Sequence, residues 1–304
     1  MSVTTTVPGV AVTGTAAELA ERLDAERRSG RVVGVVLTMG ALHDGHASLI
    51  ARAAAECDVV AVSVFVNPTQ FAQAGDLANY PRTLAADLEL AARSGADLVF
   101  APSVTEMYPD WPTPGATTVT VSSLGDRWEG HSRPGHFDGV ATVVTKLLTM
   151  TGPCRTYFGE KDFQQLAIVR RVVRDLSLPV EVVGCPTVRE ADGLAMSSRN
   201  VRLAADERAA AVCLHRALTV GADTFGSGAD AGTVETAMAE VVESEPSVTL
   251  DYAVLVDAAD LEPVTAVPGA DDRPLRLLIA AQVGPVRLID NLDPRDPQAA
   301  RTTR

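Results

Sequence analysis

The chain has 304 residues, of which 46% are hydrophobic and 21% charged, and its formal net charge is −13 at pH 7. This length provides for a sizeable core and two domains, and the acidic balance argues against binding to nucleic acid. No stretch approaches the roughly 18 apolar residues of a membrane span, and the N-terminus lacks a signal-peptide pattern, so we expect a cytoplasmic protein with no membrane partner.

Short apolar runs alternate with helical stretches from Arg31 to about Val183. The strand-like runs are VVGVVLT, DVVAVSVFV, ADLVFAP and TYFG, and the helical stretches include HASLIARAAAE, TLAADLELAARSG, GVATVVTKLLTM and DFQQLAIVRRVVRDLS. Strands rich in β-branched residues that alternate with helices predict an α/β fold with a Rossmann-like doubly wound parallel sheet. In such sheets, ligands bind at the loops that follow the carboxyl ends of the strands.

The pattern changes after residue 186. A helical stretch, AADERAAAVCLHRALTVGADTF, and a second helix to about Glu243 precede one strand and a hairpin-like segment. We therefore predict a first domain over residues 1–186 and a smaller C-terminal α+β domain over residues 187–292. The polar, proline-containing segment 293–304 is predicted to be disordered.

The segment LTMGALHDGHASLI places His43 and His46 where a strand passes into a helix. Backbone N–H groups and the positive end of the helix dipole suit phosphate there, and imidazoles add donors without a permanent charge. A surface loop with two histidines, or half of a metal site, explains the same spacing. Neither the other three histidines nor the four well-separated cysteines show a pairing that completes a metal site, so metal ligands on the protein stay unassigned.

Two further motifs follow predicted strands. GEKD opens a helix with Lys161 in its first turn, where a cation opposes the helix dipole unless an anion is bound. FVNPTQF turns at Asn67 and projects the Gln70 carboxamide at the sheet edge. Each motif taken alone is also explained by an ordinary turn or by solvated side chains.

Two loops carry arginines beside small or polar residues. AMSSRN offers two hydroxyls and the Arg199 guanidinium to a polyphosphate, although its serines are equally suited to turn capping. EGHSRPGHFDGV holds Arg133 on a loop before a helix, and its alternative interpretation is a solvated loop. Four of the five motifs fall at strand-to-helix junctions, where this architecture binds ligands.

In combination, these motifs resemble the HIGH-motif nucleotidyltransferase superfamily and, within it, the family of pantoate–β-alanine ligases (pantothenate synthetases). The matching blocks run from about residue 31 to residue 292: TMGALHDGH, FVNPTQF, NYPRT, SRPGHFDGVATVV, FGEKDFQQL, PTVREADGLAMSSRN and VRLIDN. The resemblance implies an ATP-dependent acid–amine ligase that condenses (R)-pantoate with β-alanine through a pantoyl adenylate and releases AMP and pyrophosphate. It also implies Mg²⁺ and a homodimer.

The resemblance assigns residues to ATP on several loops. The residues implied for ATP are Met39, Gly40, Ala41, Leu42, His43, Asp44, Gly45, His46, Gly159, Glu160, Lys161, Asp162, Val188, Met196, Ser197, Ser198 and Arg199. Catalytic roles are implied for His43, His46, Lys161 and Arg199, with His46 as the proton donor.

The acid and the amine are assigned by the same resemblance to a smaller set of polar side chains. Gln70 and Gln165 are implied to bind pantoate. Gln70, Asn67 and Arg133 are implied to lie near β-alanine.

The chain departs from the family pattern at a few positions. Leu37 stands where proline is usual before Thr-Met-Gly, so we expect a less rigid loop. The candidate flap from Gln73 to Tyr80 begins in FAQAG, without an early glycine, and Trp128 and His131 are less usual in their loop. None of these positions is among the residues implied for phosphate.

Other functions compete with the ligase interpretation. Another small-molecule adenylyltransferase of the superfamily is the nearest alternative. The stretch between His46 and Met196 holds glutamines and apolar residues suited to a small hydroxy acid, which disfavours a large second nucleotide as substrate. An aminoacyl-tRNA synthetase fits less well, because no anticodon-binding domain or basic surface is evident. A non-catalytic nucleotide-binding protein would have no need of the lysine, the two histidines and the arginine together.

Overall fold

The computed structural model describes residues 9–71, 74–113, 115–264 and 273–296, apart from the side chains of Ala74 and Asp76. The chain divides into two compact units. The first comprises Met1–Gly159 and Ile168–Cys185, and the second comprises Glu160–Ala167 and Pro186–Arg304.

The first unit is built on a six-stranded sheet in which every pairing is parallel. Its strands are β1 (Ala11–Thr13), β2 (Val33–Thr38), β3 (Val59–Val64), β4 (Leu98–Phe100), β5 (Cys154–Gly159) and β6 (Val180–Cys185). Their order across the sheet is β1-β4-β3-β2-β5-β6. The chain moves outwards from β2 through β3 to β4 and then returns to β5, so the topological switch point lies between β2 and β5. The predicted doubly wound parallel sheet is confirmed.

Helices lie between the strands of this sheet in chain order. They are α1 (Ala16–Arg28), α2 (Asp44–Glu56), α3 (Ala74–Ala78), α4 (Leu84–Arg93), α5 (Val104–Met107), α6 (Glu129–Ser132) and α7 (His136–Thr151). Ile50 of α2 and Leu88 of α4 join the strand valines Val36, Val62 and Val99 in one buried cluster. β2 and β3 are valine-rich and buried along nearly their whole length, which explains why these two strands read as continuous apolar runs.

Two elements precede the first strand predicted from the sequence. β1 adds to the sheet edge beside β4, with Ala11 opposite Leu98, and α1 follows it. α1 is capped by Thr15, whose side chain accepts a hydrogen bond from the Glu18 N–H. A strand of three residues carries too little periodicity to be recognised in a sequence, because only its pairing partner defines it.

The second unit holds a three-stranded antiparallel sheet. Its strands are β7 (Val248–Asp257), β8 (Leu275–Val283) and β9 (Val286–Leu292), in that order. Its helices are α9 (Ala205–Ala210), α10 (Cys213–Gly226) and α11 (Ala231–Glu243). Leu214, Leu218 and Met238 of the helices pack against Leu277 and Ile279 of β8 in one core. The stretch predicted as a single helix is interrupted after Ala210, where the Leu214 N–H bonds to the Ala211 carbonyl three residues back.

Residues 160–167 belong to the second unit, although the sequence pattern predicted them wholly within the first domain. A 3₁₀ turn at Glu160–Asp162 leads into α8 (Phe163–Asp175). The turn is held by side chains of the second unit, since Asn291 and Arg276 both bond to it. Hydrogen bonds between segments far apart in sequence therefore override chain continuity here.

The start of the predicted disordered tail is ordered, which corrects that prediction for residues 293–296. Pro294 is buried, and the Arg295 N–H donates to Asp293 Oδ1 at 2.9 Å. The Arg295 guanidinium also donates to the Arg273 carbonyl at 2.9 Å. Residues 297–304 lie outside the described residues.

Candidate active site

Helix α2 follows the switch-point strand β2 through the loop 39–43, and two imidazoles cap its first turn. His43 Nδ1 accepts the Gly45 N–H at 3.2 Å, and His46 Nδ1 accepts the His43 N–H at 3.3 Å, which forms a capping box. The ring centroids are 4.2 Å apart. A neutral imidazole whose Nδ1 accepts a hydrogen bond carries its proton on Nε2. Both rings therefore present Nε2–H donors at the positive end of a helix, which suits a phosphate group.

The loop before α2 is held by a buried carboxylate that was not among the residues predicted from the sequence. Asp87 of α4 is 2% exposed and accepts the N–H groups of Ala41 and Leu42 at 3.2 and 2.8 Å. Ala41 has a φ of 51°, in the left-handed region that costs a non-glycine residue about 1–2 kcal/mol. Thr38 Oγ1 accepts the Gly40 N–H at 3.1 Å. Leu37 itself lies within β2, opposite Ser63. The loop begins after it, and the contacts of Asp87 and Thr38 fix the conformation of that loop.

The NPTQ motif forms a 3₁₀ turn, Pro68–Gln70, after β3. Asn67 is 1% exposed, and its amide donates to Gln70 Oε1 at 3.0 Å and to the Gly139 carbonyl at 3.1 Å. Its Oδ1 accepts the Tyr108 hydroxyl at 2.8 Å. Gln70 Nε2 in turn approaches Met39 Sδ at 3.0 Å, beside the loop before α2. With its amide engaged by protein groups, Asn67 fixes the orientation of the Gln70 side chain.

Helix α7 packs against the NPTQ turn through His136 and Gly139. His136 is buried, and its Nδ1 lies 3.0 Å from the Gln70 carbonyl, while Arg133 Nη1 lies 3.0 Å from His136 Nε2. A Cβ on Gly139 would lie 2.6 Å from the Thr69 carbonyl oxygen and 2.7 Å from Gln70 Cα. The helix approaches the turn this closely only because residue 139 is glycine. The solvated-loop interpretation of this motif is therefore wrong for His136, which holds the Gln70 backbone.

In the second unit, the GEKD motif forms a turn fixed by two side chains of the small sheet. Asn291 Nδ2 donates to the carbonyls of Glu160 and Lys161 at 2.9 and 2.8 Å. Arg276 donates to Asn291 Oδ1 at 2.7 Å and to Glu160 Oε2 at 3.0 Å. The Lys161 ammonium lies 3.8 Å from Asp162 Oδ1, beyond hydrogen-bond distance. Gly159 ends β5, and Gln165 lies half-buried on the first turn of α8.

The segment from Val188 to Arg199 is a narrow hairpin and turn. The Met196 N–H donates to the Val188 carbonyl at 3.0 Å, and Arg189 and Ala195 form an isolated antiparallel β-bridge. Ser197 Oγ accepts the Arg199 N–H at 3.2 Å, in agreement with a turn-capping role, and Ser198 is half-buried. The two residues implied for adenine are thus brought together by a backbone hydrogen bond, and Arg199 is exposed.

The candidate flap differs from a plain loop. Ala74–Ala78 forms the short helix α3, and Phe71 packs edge-on against Tyr80 with ring centroids 5.6 Å apart. Gln73, where the predicted flap begins, lies outside the described residues. Trp128 has a φ of 47° before α6, the helix that contains His131.

Across residues 9–71, 74–113, 115–264 and 273–296, no group of three or more His, Cys, Asp or Glu side chains is arranged to hold a metal ion. No helix within these ranges is both long and apolar enough to cross a bilayer. All four cysteines are thiols rather than disulfides.

The fold and these loops define a Rossmann-like α/β protein in which a helix N-terminus suited to an anion follows the switch-point strand. A family model described as pantoate-beta-alanine ligase matches residues 11–293. The chain therefore belongs to the pantoate–β-alanine ligase family, a family of ATP-dependent ligases.

Individual relatives agree with this family. Pantothenate synthetases from Rubrobacter xylanophilus and Salinispora arenicola are 52% and 54% identical to it, over 87% and 86% of this chain and 92% and 90% of theirs. The crystal structure of pantothenate synthetase from Thermus thermophilus superposes with a TM-score of 0.86 at 45% identity, covering 94% of this chain and 99% of that one. A Francisella tularensis pantoate-beta-alanine ligase, complexed with beta-gamma ATP and beta-alanine, gives 0.75 at 32% identity, covering 94% and 98%.

Proposed function

We propose that this chain joins (R)-pantoate to β-alanine, using ATP, through a pantoyl adenylate. The observation that carries the proposal is the start of α2, where His43 and His46 both accept backbone N–H groups at Nδ1 and so carry Nε2–H donors. Membership of the pantoate–β-alanine ligase family supplies the substrates, and the Francisella tularensis relative is described with beta-gamma ATP and beta-alanine.

ATP is assigned to the loops that follow β2, β5 and β6. Met39–His46 and Lys161 are proposed to bind its phosphates, and Gly159 and Asp162 its ribose. The backbones of Val188 and Met196 are proposed to hold the adenine. Ser197, Ser198, Arg199 and Glu160 complete the proposed ATP set.

In the first step, a carboxylate oxygen of pantoate attacks the α-phosphorus of ATP. The bond from the α-phosphorus to the bridging oxygen breaks, and pyrophosphate leaves with the electron pair. Charge builds on the leaving group, so donors fixed before the reaction lower the barrier. Lys161, Arg199 and the two imidazoles are the proposed hydrogen-bond donors to this charge, and His46 is proposed to give up a proton from its imidazolium form, since the Nε2–H of a neutral ring only donates a hydrogen bond.

In the second step, the β-alanine amine attacks the acyl carbon of the adenylate. The carbon–oxygen bond to phosphate breaks, AMP leaves with the electron pair, and the amine releases a proton. Gln70 and Gln165 are proposed to hold pantoate, and Gln70 with Arg133 to guide the amine. Asn67 contributes by fixing Gln70. A mixed anhydride hydrolyses readily, so the segment from Gln73 to Tyr80 is proposed to close over it.

Mg²⁺ is proposed to arrive as the ATP complex. Mg²⁺ usually keeps several waters and binds through substrate phosphates rather than an all-protein cage. This fits the described ranges, in which no cluster of three acidic, histidine or cysteine side chains is arranged as a cage. A homodimer and a cytoplasmic location are also proposed; the four thiols support a reducing compartment.

The test is AMP formation by the purified chain with ATP, Mg²⁺ and pantoate, with and without β-alanine. We expect AMP and pantothenate only when both substrates are present, and enzyme-bound adenylate when β-alanine is omitted. AMP release that ignores pantoate, or no AMP at all, would refute the ligase assignment. A dinucleotide product would indicate another adenylyltransferase instead.

Lys161→Ala tests the anion-binding role of the GEKD turn. The adenylation rate should fall by about 10²-fold or more, because a fixed cation on the developing charge is lost. Arg216→Ala is the matched control: it also removes a cation from the second unit, but one paired with Glu245 at the surface. Near-wild-type turnover of Lys161→Ala would remove this residue from the mechanism.

A further inference from the structure

Strand β9 carries two consecutive polar residues in a largely apolar sheet. Asp290 and Asn291 are 4% and 3% exposed. Consecutive side chains of a strand leave it on opposite faces, so the two can hold different segments. Buried polar groups are costly unless they are hydrogen-bonded, so what each one binds indicates its purpose.

Asn291 is bonded at every polar atom of its side chain. Its Nδ2 donates to the Glu160 and Lys161 carbonyls at 2.9 and 2.8 Å, and its Oδ1 accepts from Arg276 Nε at 2.7 Å. A flipped amide would face two carbonyls with its oxygen, so this network defines the orientation. Arg276 also stacks over the Phe163 ring at 4.3 Å. The backbone of the lysine-bearing turn is thereby fixed.

Asp290 holds the other loop of this unit that is proposed for ATP. Its carboxylate pairs with Arg189 through contacts of 2.6 and 3.0 Å, and both side chains are nearly inaccessible to solvent. Arg189 Nη1 also donates to the Gly193 carbonyl at 3.0 Å. Arg189 directly follows Val188, the residue proposed to bind adenine. The ion pair therefore fixes the base of the Val188–Met196 hairpin.

We propose that Asp290 and Asn291 are positioning residues for the adenylation step, an inference that rests on the proposed function. Their Cα atoms are one residue apart, a covalent spacing of about 3.8 Å. Because Asp290 and Asn291 are adjacent on one strand, the lysine-bearing turn and the Val188–Met196 hairpin are held in fixed positions relative to each other. Misplacing a reacting group by about 1 Å can cost 10²-fold in rate. Loss of either side chain therefore lowers the rate of attack on the α-phosphorus even though neither side chain needs to contact ATP.

Asn291→Asp is the most direct test, because it keeps the shape and the acceptor for Arg276. It removes both donors and turns a carboxylate oxygen toward two carbonyls. We expect the rate of pantoate-dependent AMP formation to fall at least tenfold and KM for ATP to rise several-fold, with KM for β-alanine within twofold of wild type. Arg287→Gln, on the same strand but paired with Asp251 at the surface, should change none of these.

A double-mutant cycle with Lys161→Ala separates positioning from general damage. Under single-turnover conditions, the rate loss from Asn291→Asp should shrink to less than twofold once the lysine side chain is absent. Losses that simply multiply, or equal changes in KM for all three substrates, would overturn the proposal. If Asn291→Asp does not fold, the same double-mutant cycle with Lys161→Ala is measured for Arg276→Lys, because this substitution removes the guanidinium contact that orients the Asn291 amide.

The two proposals fail in different ways. A wild-type chain that forms no pantoate-dependent AMP refutes the proposed function. An active wild type with an Asn291→Asp variant of unchanged rate and KM refutes only the positioning role.

Discussion

Replacing Asp87 by asparagine removes a charge from the interior of the first unit while leaving its shape unchanged. The carboxylate accepts two backbone N–H groups of the loop before α2, from Ala41 and Leu42, and the Thr83 hydroxyl at 3.2 Å. An asparagine offers one oxygen, so its NH₂ group must face one of these N–H donors. The loop that presents His43 loses its firmest support.

The expected loss of stability follows from those contacts. A hydrogen bond to a charged group contributes about 1.5–3 kcal/mol and a neutral one about 0.5–1.5 kcal/mol, so the retained bond loses about 1 kcal/mol. The other N–H loses its acceptor in a buried site, which costs about 1–3 kcal/mol. Asp87→Asn should therefore lower the free energy of unfolding by about 2–4 kcal/mol. KM for ATP should rise about tenfold as the loop loses its fixed shape.

Urea denaturation and steady-state AMP formation measure the two effects. Asp97→Asn is the matched control, because Asp97 accepts a single backbone N–H, from Val60 at 2.8 Å, and is exposed before β4. The control should cost little stability and leave KM for ATP unchanged. Wild-type stability and KM in Asp87→Asn would show that the carboxylate does not support the loop.

Three further changes test the packing of the two units. Gly139→Ala should cost about 1–3 kcal/mol of stability and raise KM for pantoate, because its Cβ would overlap the Gln70 backbone. Gly193→Ala, at a φ of 96° with its Cβ 2.2 Å from His215 Nδ1, should lower the thermal midpoint and weaken ATP binding measured by calorimetry. Burial raises the pKa of the Cys213 thiol to about 11, so the free energy of unfolding should fall as pH rises from about 9 toward 11. Cys213→Ala should reduce that slope in urea titrations. An unchanged KM for pantoate in Gly139→Ala, an unchanged thermal midpoint in Gly193→Ala, or an unchanged pH slope in Cys213→Ala would contradict the corresponding expectation.

The sequence determined the main sheet and the position of the site loops. The β-branched runs at Val33–Thr38 and Val59–Val64 are typical of buried parallel strands, since both faces of such strands are covered. Once the strands were known, the loops after them were known as well, because parallel strands end at one edge. Local chemistry also made His43, His46 and Lys161 candidates for phosphate binding, since a lysine in the first turn of a helix opposes the dipole unless an anion is bound, although each motif alone was equally explained by a loop or turn.

Tertiary structure alone decided which side chains hold those loops. Asp87 left a weak signal, an acidic residue on the same face of α4 as buried Ala91, but nothing in the sequence indicates that it binds Ala41. Asn291 and the lysine turn are likewise joined by hydrogen bonds across a long stretch of the chain. Periodicity reports which face of an element is buried, whereas a hydrogen-bond partner depends on how distant elements pack. The candidate side chains were therefore indicated by local sequence, whereas the contacts that fix them depend on how distant segments pack.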